Sequence, residues 1–186
     1  MKTKILFTTI LSIFLFTSCG IFKNSKTHDK GVVINGVTWA TRNVDNIGTF
    51  VSNPKDDGKY YTYEEAQNAC PIGWRLPTRE EFEKLSNKDK VTNKWGTRTC
   101  DIYSTIFDVE GRIFANKTFI NSIFLPAAGD RANCGTLVNL NRSGSYWSST
   151  PNGINGFYLY FDEWSVEPNR YNEYRGGGLS VRCVAK

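Results

Sequence analysis

The chain has 186 residues, of which 40% are hydrophobic and 14% aromatic, which is enough for one domain with a substantial core. Its 23 basic and 18 acidic residues give a formal net charge of +5, and this mild, dispersed charge does not favour nucleic acid as a partner. The single histidine, His28, lies in a polar N-terminal stretch, which excludes histidine-based triads and histidine-containing zinc sites from the rest of the chain.

The N-terminus resembles the signal of a bacterial lipoprotein. Two lysines precede an apolar run at residues 5–16, which is too short for a permanent membrane span and typical of a signal peptide. The run ends in Phe16-Thr17-Ser18-Cys19, which is similar to a lipobox, with Phe in place of the usual Leu. Residues 1–18 are therefore predicted to be removed and Cys19 to carry acyl chains such as palmitate, which anchor the protein in a membrane. An ordinary secretory signal is the alternative.

A polar segment then precedes the folded domain. Residues 19–31 show no apolar periodicity and are predicted to form a flexible tether, and residues 32–186 are predicted to form one domain. The domain begins with a hairpin signal, Val32 to Ile34 and Val37 to Ala40 around Asn35-Gly36.

Two helix starts follow closely on one another. Thr62 with Glu65 and Thr78 with Glu81 each fit a capping box, in which a hydroxyl and a Glu satisfy backbone donors reciprocally. The first helix is predicted to bury one face, which consists of Tyr63, Ala66 and Cys70. The second is predicted to bury Phe82 and Leu85.

The rest of the chain reads as strand and loop. Ser86 to Thr99 is polar, and Gly129 to Ser145 is predicted to be a loop. Strands are predicted at Tyr146–Thr150, Phe157–Phe161, Trp164–Val166 and Leu179–Val184. Helices followed by a run of strands favour an α+β domain.

Five sequence blocks carry a resemblance to a known family. They are GVTWATRNV from Gly36, ACPIGWRLPTREEFEKL from Ala69, FLPAAGDR from Phe124, GSYWSST from Gly144 and LSVRCV from Leu179. In this order they resemble the major paralogous domain first described from Fibrobacter succinogenes. That family is similar in turn to the formylglycine-generating enzyme group. The resemblance implies a C-type-lectin-like fold, with two N-terminal helices packed on a small, twisted, mostly antiparallel sheet with long loops.

The resemblance also implies a place in the cell. The family is abundant in lipoproteins of Bacteroidetes, so we expect a lipid-anchored protein of the cell envelope, held in the outer membrane. No acidic cluster follows Cys19, which favours the periplasmic face over the cell surface.

Four further cysteines, Cys70, Cys100, Cys134 and Cys183, are an even number in an exported chain, which indicates disulfides. Three connectivities are possible, and buried thiols are the alternative. In C-type-lectin-like domains a cysteine on the first helix pairs with one on the last strand. The resemblance therefore implies Cys70–Cys183 and leaves Cys100–Cys134.

Two motifs suggest chemistry that we do not expect. Glu167-Pro168-Asn169 matches a triplet that ligates calcium in sugar-binding lectins, but no WND triplet follows, so a turn is predicted and no metal site. Cys100 and Cys134 could pair as the copper-binding cysteines of the formylglycine-generating enzymes do, but neither lies in a matching motif. The prediction is a non-enzyme without a cofactor.

Recognition is the remaining function. The stretch after Trp147 is rich in aromatic and basic residues, which suit contact with sugar rings or partner proteins. The predicted binding residues are Tyr158, Tyr160, Trp164, Arg170, Tyr171 and Tyr174. Trp39 and Trp74 are predicted to be core. We therefore expect a binding module for glycan or an envelope protein. A mainly structural lipoprotein is the first alternative, and a formylglycine-generating-enzyme-like oxidase is the second.

Overall fold

The computed structural model describes residues 29–98 and 109–186. The signal peptide, Cys19 and most of the tether lie outside the described residues, and so does Cys100. The described residues form twelve strands and two helices. The strands are β1 Val32–Ile34, β2 Val37–Asn43, β3 Trp74–Arg75, β4 Val91–Arg98, β5 Val109–Asn116, β6 Ser122–Pro126, β7 Asp130–Arg131, β8 Leu137–Val138, β9 Ser143–Asn152, β10 Asn155–Asp162, β11 Val166–Tyr174 and β12 Arg182–Ala185. The helices are α1 Tyr63–Ala66 and α2 Arg79–Leu85.

The strands form four small sheets rather than one. The first has the order β1-β2-β12-β3, the second β11-β10-β9, the third β4-β5-β6, and β7 pairs with β8. All these pairings are antiparallel. The hairpin of β1 and β2 is confirmed: Val32 pairs with Trp39, and Asn35 and Gly36 both have positive φ, as a two-residue turn of this kind requires.

The expected fold class is wrong. An α+β, C-type-lectin-like domain needs two helices that pack as a layer on a sheet, but α1 has 4 residues and α2 has 7. Both capping boxes form, so the helix starts are correct. After Ala66, however, the chain closes single turns with bonds from Asn68 N to Glu65 O and from Ala69 N to Ala66 O. The spacing of Tyr63, Ala66 and Cys70 therefore indicated which side of the segment faces the core, but not how long the helix is.

Much of the sheet comes from segments whose sequence does not show it. β4 carries the polar stretch VTNKWGTR, yet it pairs with β5 along its length, from Val91 opposite Asn116 to Arg98 opposite Val109. The predicted loop at residues 129–145 contains β7 and β8. Polar residues can occupy an edge strand because backbone hydrogen bonds to the neighbouring strand form whatever the side chains are.

The core consists of two hydrophobic clusters, and alternate residues of the same strands belong to different clusters. Trp39, Tyr146, Leu159 and Val184 belong to one cluster, which also includes Phe82 and Leu85 of α2. Their chain neighbours belong to the other cluster: Ala40, Trp147, Tyr158 and Cys183. Because side chains alternate between the two faces of a strand, these strands are covered on both faces. Trp39 and Trp74 are both buried, as predicted.

A buried arginine and a disulfide tie the C-terminal strand to the rest. Arg182 in β12 is fully buried, and its guanidinium donates to Asn43 Oδ1 at 2.8 Å and to the carbonyls of Ala40 and Phe124 at 3.1 Å each. The predicted bond between Cys70 and Cys183 is present. Cys70 lies four residues beyond α1 rather than on the helix, so the bond joins a turn to the last strand.

Candidate functional site

An open groove of about 730 Å³ lies where the sheet of β4 and β5 meets the sheet of β9 and β10. This volume is in the range of small-ligand sites. Three regions of the chain supply its walls. They contribute Trp95, Gly96 and Glu110 from β4 and β5; Asn139, Asn141, Arg142 and Ser143 from the start of β9 and the loop before it; and Tyr160, Asp162, Glu163 and Trp164 from β10 and the turn after it.

Trp164 is the most unusual residue of the groove, because 85% of its surface is exposed. Its turn is nevertheless well fixed. The Asp162 carboxylate accepts hydrogen bonds from Trp164 N at 2.8 Å, from Ser165 N at 2.6 Å and from Ser165 Oγ at 3.1 Å. Partial burial disfavours the charged Asp162, but these donors outweigh it and lower the pKa of the carboxyl below its usual value. The indole is thus exposed on a rigid turn.

Arg112 of β5 supports the same turn from below. Its side chain is buried, and one guanidinium nitrogen donates to the carbonyls of Asp162 at 2.5 Å and Glu163 at 2.9 Å. The other terminal nitrogen donates to Asn93 Oδ1 in β4. Burial lowers the pKa of Arg112, and the nearby Asp162 charge acts in the opposite direction. The turn that presents Trp164 is therefore held to both sheets.

Tyr160 forms part of the wall beside this turn. The guanidinium carbon of Arg170 lies 4.1 Å from the centre of its ring, so a cation covers one face of the ring. The Tyr160 hydroxyl donates to Asp162 Oδ2 at 3.3 Å. Burial and the Asp162 charge raise the pKa of Tyr160, so the hydroxyl stays protonated near neutral pH.

The polar lining is rich in oxygen and net negative. Glu110, Asp162 and Glu163 supply three carboxylates, against one guanidinium from Arg142. Within the described part of the chain, the buried Ser143 hydroxyl has no hydrogen-bond partner, and it lies in the groove wall. Carboxylates and amides beside aromatic rings can bind a molecule that has both apolar faces and many hydroxyl donors.

The predicted binding residues do not form a single site. Tyr160 and Trp164 line the groove, and Arg170 contacts Tyr160. Tyr158 is 4% exposed within the core, so it cannot meet a ligand from solution. Tyr171 is exposed but not part of the groove, and its ring lies 6.1 Å from that of Phe157. Tyr174 ends β11, where its backbone pairs with that of Asn155.

Sequence reasoning missed most of the groove. Trp95 lies in the polar strand β4, and its ring is 6.4 Å from that of Phe161. Asp162 carries a detectable signal, because an Asp that follows a strand can accept a hydrogen bond from the backbone two residues on and so form an Asx turn. Asn139 and Asn141 carry no such signal, because only the meeting of two sheets brings their loop to the groove.

The structure corrects the prediction for one of the other two motifs and does not test the second. Glu167-Pro168-Asn169 lies within β11 and not in a turn, and Glu167 pairs with Arg170 at 3.5 Å. In the ranges 29–98 and 109–186, no three His, Cys, Asp or Glu residues come together in a way that could hold a metal ion. Cys134 is exposed, and its predicted partner Cys100 lies outside the described residues, so that disulfide stays a prediction.

Comparison with known proteins gives one match. The family model of the Fibrobacter succinogenes major domain matches residues 35–185, which is well over half of the chain. No curated protein and no solved structure matches the chain. No helix in the described part of the chain is long and apolar enough to cross a membrane.

Proposed function

The chain belongs to the Fibrobacter succinogenes major domain family, and from this premise we propose that it is an envelope protein whose groove binds a neutral glycan. Membership of the family suggests a surface or envelope protein. The relation to the formylglycine-generating enzymes remains a resemblance.

The observation that carries the proposal is Trp164. A tryptophan that is 85% exposed leaves a large apolar face in water, and Arg112 and Asp162 hold its turn in place. Because the backbone of the turn is already ordered, a ligand that stacks on the indole restricts only the side chain of Trp164. Sugar rings have one flat apolar face and a rim of hydroxyls, which fits an indole beside carboxylate and amide oxygens.

The charge of the groove narrows the class of glycan. Arg112 is buried below the turn and Arg170 is paired with Glu167, so the three lining carboxylates outnumber the one lining guanidinium. This balance would repel uronic acids, sulfated sugars and other anionic glycans. Neutral or N-acetylated sugars avoid this repulsion and can donate hydroxyl hydrogen bonds to the same carboxylates. We therefore expect neutral oligosaccharides to bind better than acidic ones of the same length.

The proposal includes a lipid anchor at Cys19. The lipobox-like Phe16-Thr17-Ser18-Cys19 supports it, together with the apolar run before it. Each buried methylene contributes about 0.8 kcal/mol, so several acyl chains would hold the domain at the membrane. The site of action would be the envelope, with the periplasmic face of the outer membrane favoured by the absence of an acidic cluster after Cys19.

The test is a glycan array that includes neutral and acidic oligosaccharides and cell-wall fragments, followed by titration of each hit. Trp164→Ala is expected to weaken binding tenfold or more, a loss of about 1.4 kcal/mol. Tyr171→Ala is the matched control, because Tyr171 is also an exposed aromatic but lies outside the groove.

Equal loss of binding in the two variants would show that the groove is not the site. No binding to any glycan would favour the structural alternative, in which the aromatic residues serve packing alone. A preference for acidic glycans would contradict the charge argument but leave Trp164 as the binding residue.

A further inference from the structure

The tip of the hairpin of β5 and β6 exposes two large apolar residues side by side. Phe119 is 63% exposed and Ile120 is 82% exposed. Phe119 also has φ of 57°, a conformation that a bulky residue rarely adopts. Such conformations persist only where the surrounding structure fixes them, and they concentrate at functional positions.

The tip is ordered by its own hydrogen bonds. Asn116 O accepts from Phe119 N at 2.9 Å, and Asn116 N donates to Asn121 O at 3.0 Å. The Asn116 side-chain oxygen accepts from Thr118 Oγ1 at 3.1 Å and from Asn121 N at 3.3 Å. Phe119 and Ile120 are therefore exposed on an ordered turn, because hydrogen bonds join its two ends.

Basic residues lie next to this apolar tip. Lys117 precedes it, and its Nζ donates to the carbonyl of Lys88 at 2.6 Å, which brings a second exposed turn alongside. That turn carries Lys88 and Lys90, both exposed, with Asp89 as its one carboxylate. Apolar side chains that project among lysines are the combination that binds the interface of an anionic bilayer.

The tip also lies beside the point at which the chain enters the domain. Asn121 Nδ2 donates to Val33 O in β1 at 3.1 Å, and Val33 is 51% exposed. Four residues earlier, Asp29 is fixed by bonds to its carboxylate from Gly31 N and Thr41 N, each 2.9 Å long. Asp29 lies ten positions after Cys19 in the sequence, a reach of at most about 35 Å.

We infer that Phe119 and Ile120 insert into the headgroup region of an anionic phospholipid bilayer and that the neighbouring lysines bind its surface. This inference rests on the proposed anchor at Cys19, which would deliver the domain to a membrane within reach of the tip. Docking would fix the orientation of the domain, because the anchor alone leaves it free to rotate on its tether.

Ile154 provides a matched control. It is 76% exposed and lies between β9 and β10, in the hairpin turn Asn152-Gly153-Ile154-Asn155, where no neighbouring residue in sequence is basic. It is therefore an apolar hairpin residue of similar exposure that lacks the lysines.

The experiment places a fluorescent probe at each tip in the full chain. Phe119→Trp and Ile154→Trp variants are mixed with vesicles of phosphatidylethanolamine and phosphatidylglycerol that contain brominated acyl chains, with the wild type as background. The emission added by Phe119→Trp is expected to shift to the blue and to be quenched, and the emission added by Ile154→Trp to do neither. Lys117→Glu, combined with Phe119→Trp, is expected to reduce the quenching, as is high salt.

Three results would overturn the inference. The probe of the Phe119→Trp variant could remain unquenched, or it could be quenched equally in vesicles of phosphatidylcholine alone, which would exclude the role of the anionic surface. The Phe119→Ala variant could instead convert a dimer to a monomer in sedimentation, which would make the tip an interface between two copies. The glycan proposal is tested separately, because Trp164→Ala should leave the quenching of the Phe119→Trp probe unchanged and Phe119→Ala should leave glycan binding unchanged.

Discussion

The bond between Cys70 and Cys183 is expected to supply a large part of the stability of the domain. It closes a loop of 113 residues, which contains α2 and every strand from β3 to β11. The chain-entropy relation gives a loss of about 16 cal/mol/K for a loop of this length, or about 4.8 kcal/mol at 25 °C. Since domains are stable by only about 5–15 kcal/mol, loss of the bond should bring this one close to unfolding.

The bond can be removed without removing any atoms of the core. In a Cys134→Ala background no bond from Cys134 can form, so the oxidised and reduced proteins differ in the Cys70–Cys183 bond. Urea unfolding is followed by tryptophan fluorescence, because Trp147 and Trp74 are buried. With an m-value of about 2 kcal/mol/M, reduction should lower the midpoint by about 2 M.

The measured loss of stability tests whether the bond acts by restricting the denatured chain. If reduction costs less than about 1 kcal/mol, the denatured chain does not gain the freedom that the calculation assumes, and the reasoning fails. The Cys70→Ala, Cys183→Ala double variant should lose at least as much as the reduced protein, because Cys183 is fully buried and its sulfur fills space in the core.

Three further predictions follow from the structure and the sequence. Trp74→Ala should cost about 3–5 kcal/mol in urea unfolding, while Trp164→Ala should change stability by less than about 0.5 kcal/mol; similar losses would mean that Trp164 is packing. Burial disfavours the charged form of Glu81, but hydrogen bonds from Arg75 and Thr78 lower its pKa on balance. The contribution of Glu81 to the free energy of unfolding is therefore present above about pH 4.3 and is lost as the pH falls through the lowered pKa. Glu81→Gln should therefore reduce stability at pH 7 and flatten the acid side of the stability profile, and an unchanged acid side would contradict this. Cys19→Ala should accumulate as unprocessed precursor or appear in the soluble fraction after an alkaline wash, and continued membrane retention would place the anchor elsewhere.

Local signals in the sequence were reliable wherever neighbouring residues are enough to decide the structure. Asn35-Gly36 gave the first hairpin, because few other residues accept positive φ at both turn positions. The capping boxes gave both helix starts, because each depends on residues three apart. The resemblance to C-type-lectin-like domains implied that Cys70 pairs with Cys183, which the spacing of the cysteines alone does not show.

The tertiary structure decided the length of the helices and the extent of the sheets. A seven-residue spacing of apolar residues, from Tyr63 to Cys70, fits a helix or a turn that packs one side on a core, and the bonds after Ala66 show the turn. The polar strand β4 exists because β5 lies alongside it. Strand pairing is a contact between distant segments, so a polar edge strand has no signature in its own sequence.

The candidate site shows the same division. The exposed Trp164 and the aromatic Tyr160 were visible in the sequence, because an interleaving of aromatic, basic and turn-forming residues is a property of one stretch. Glu110, Asn139 and Trp95 became part of the groove only when two sheets met around it. The sequence determined which side chains could bind a ligand, and the packing of the sheets decided which of them share one surface, because that depends on contacts between residues far apart in the chain.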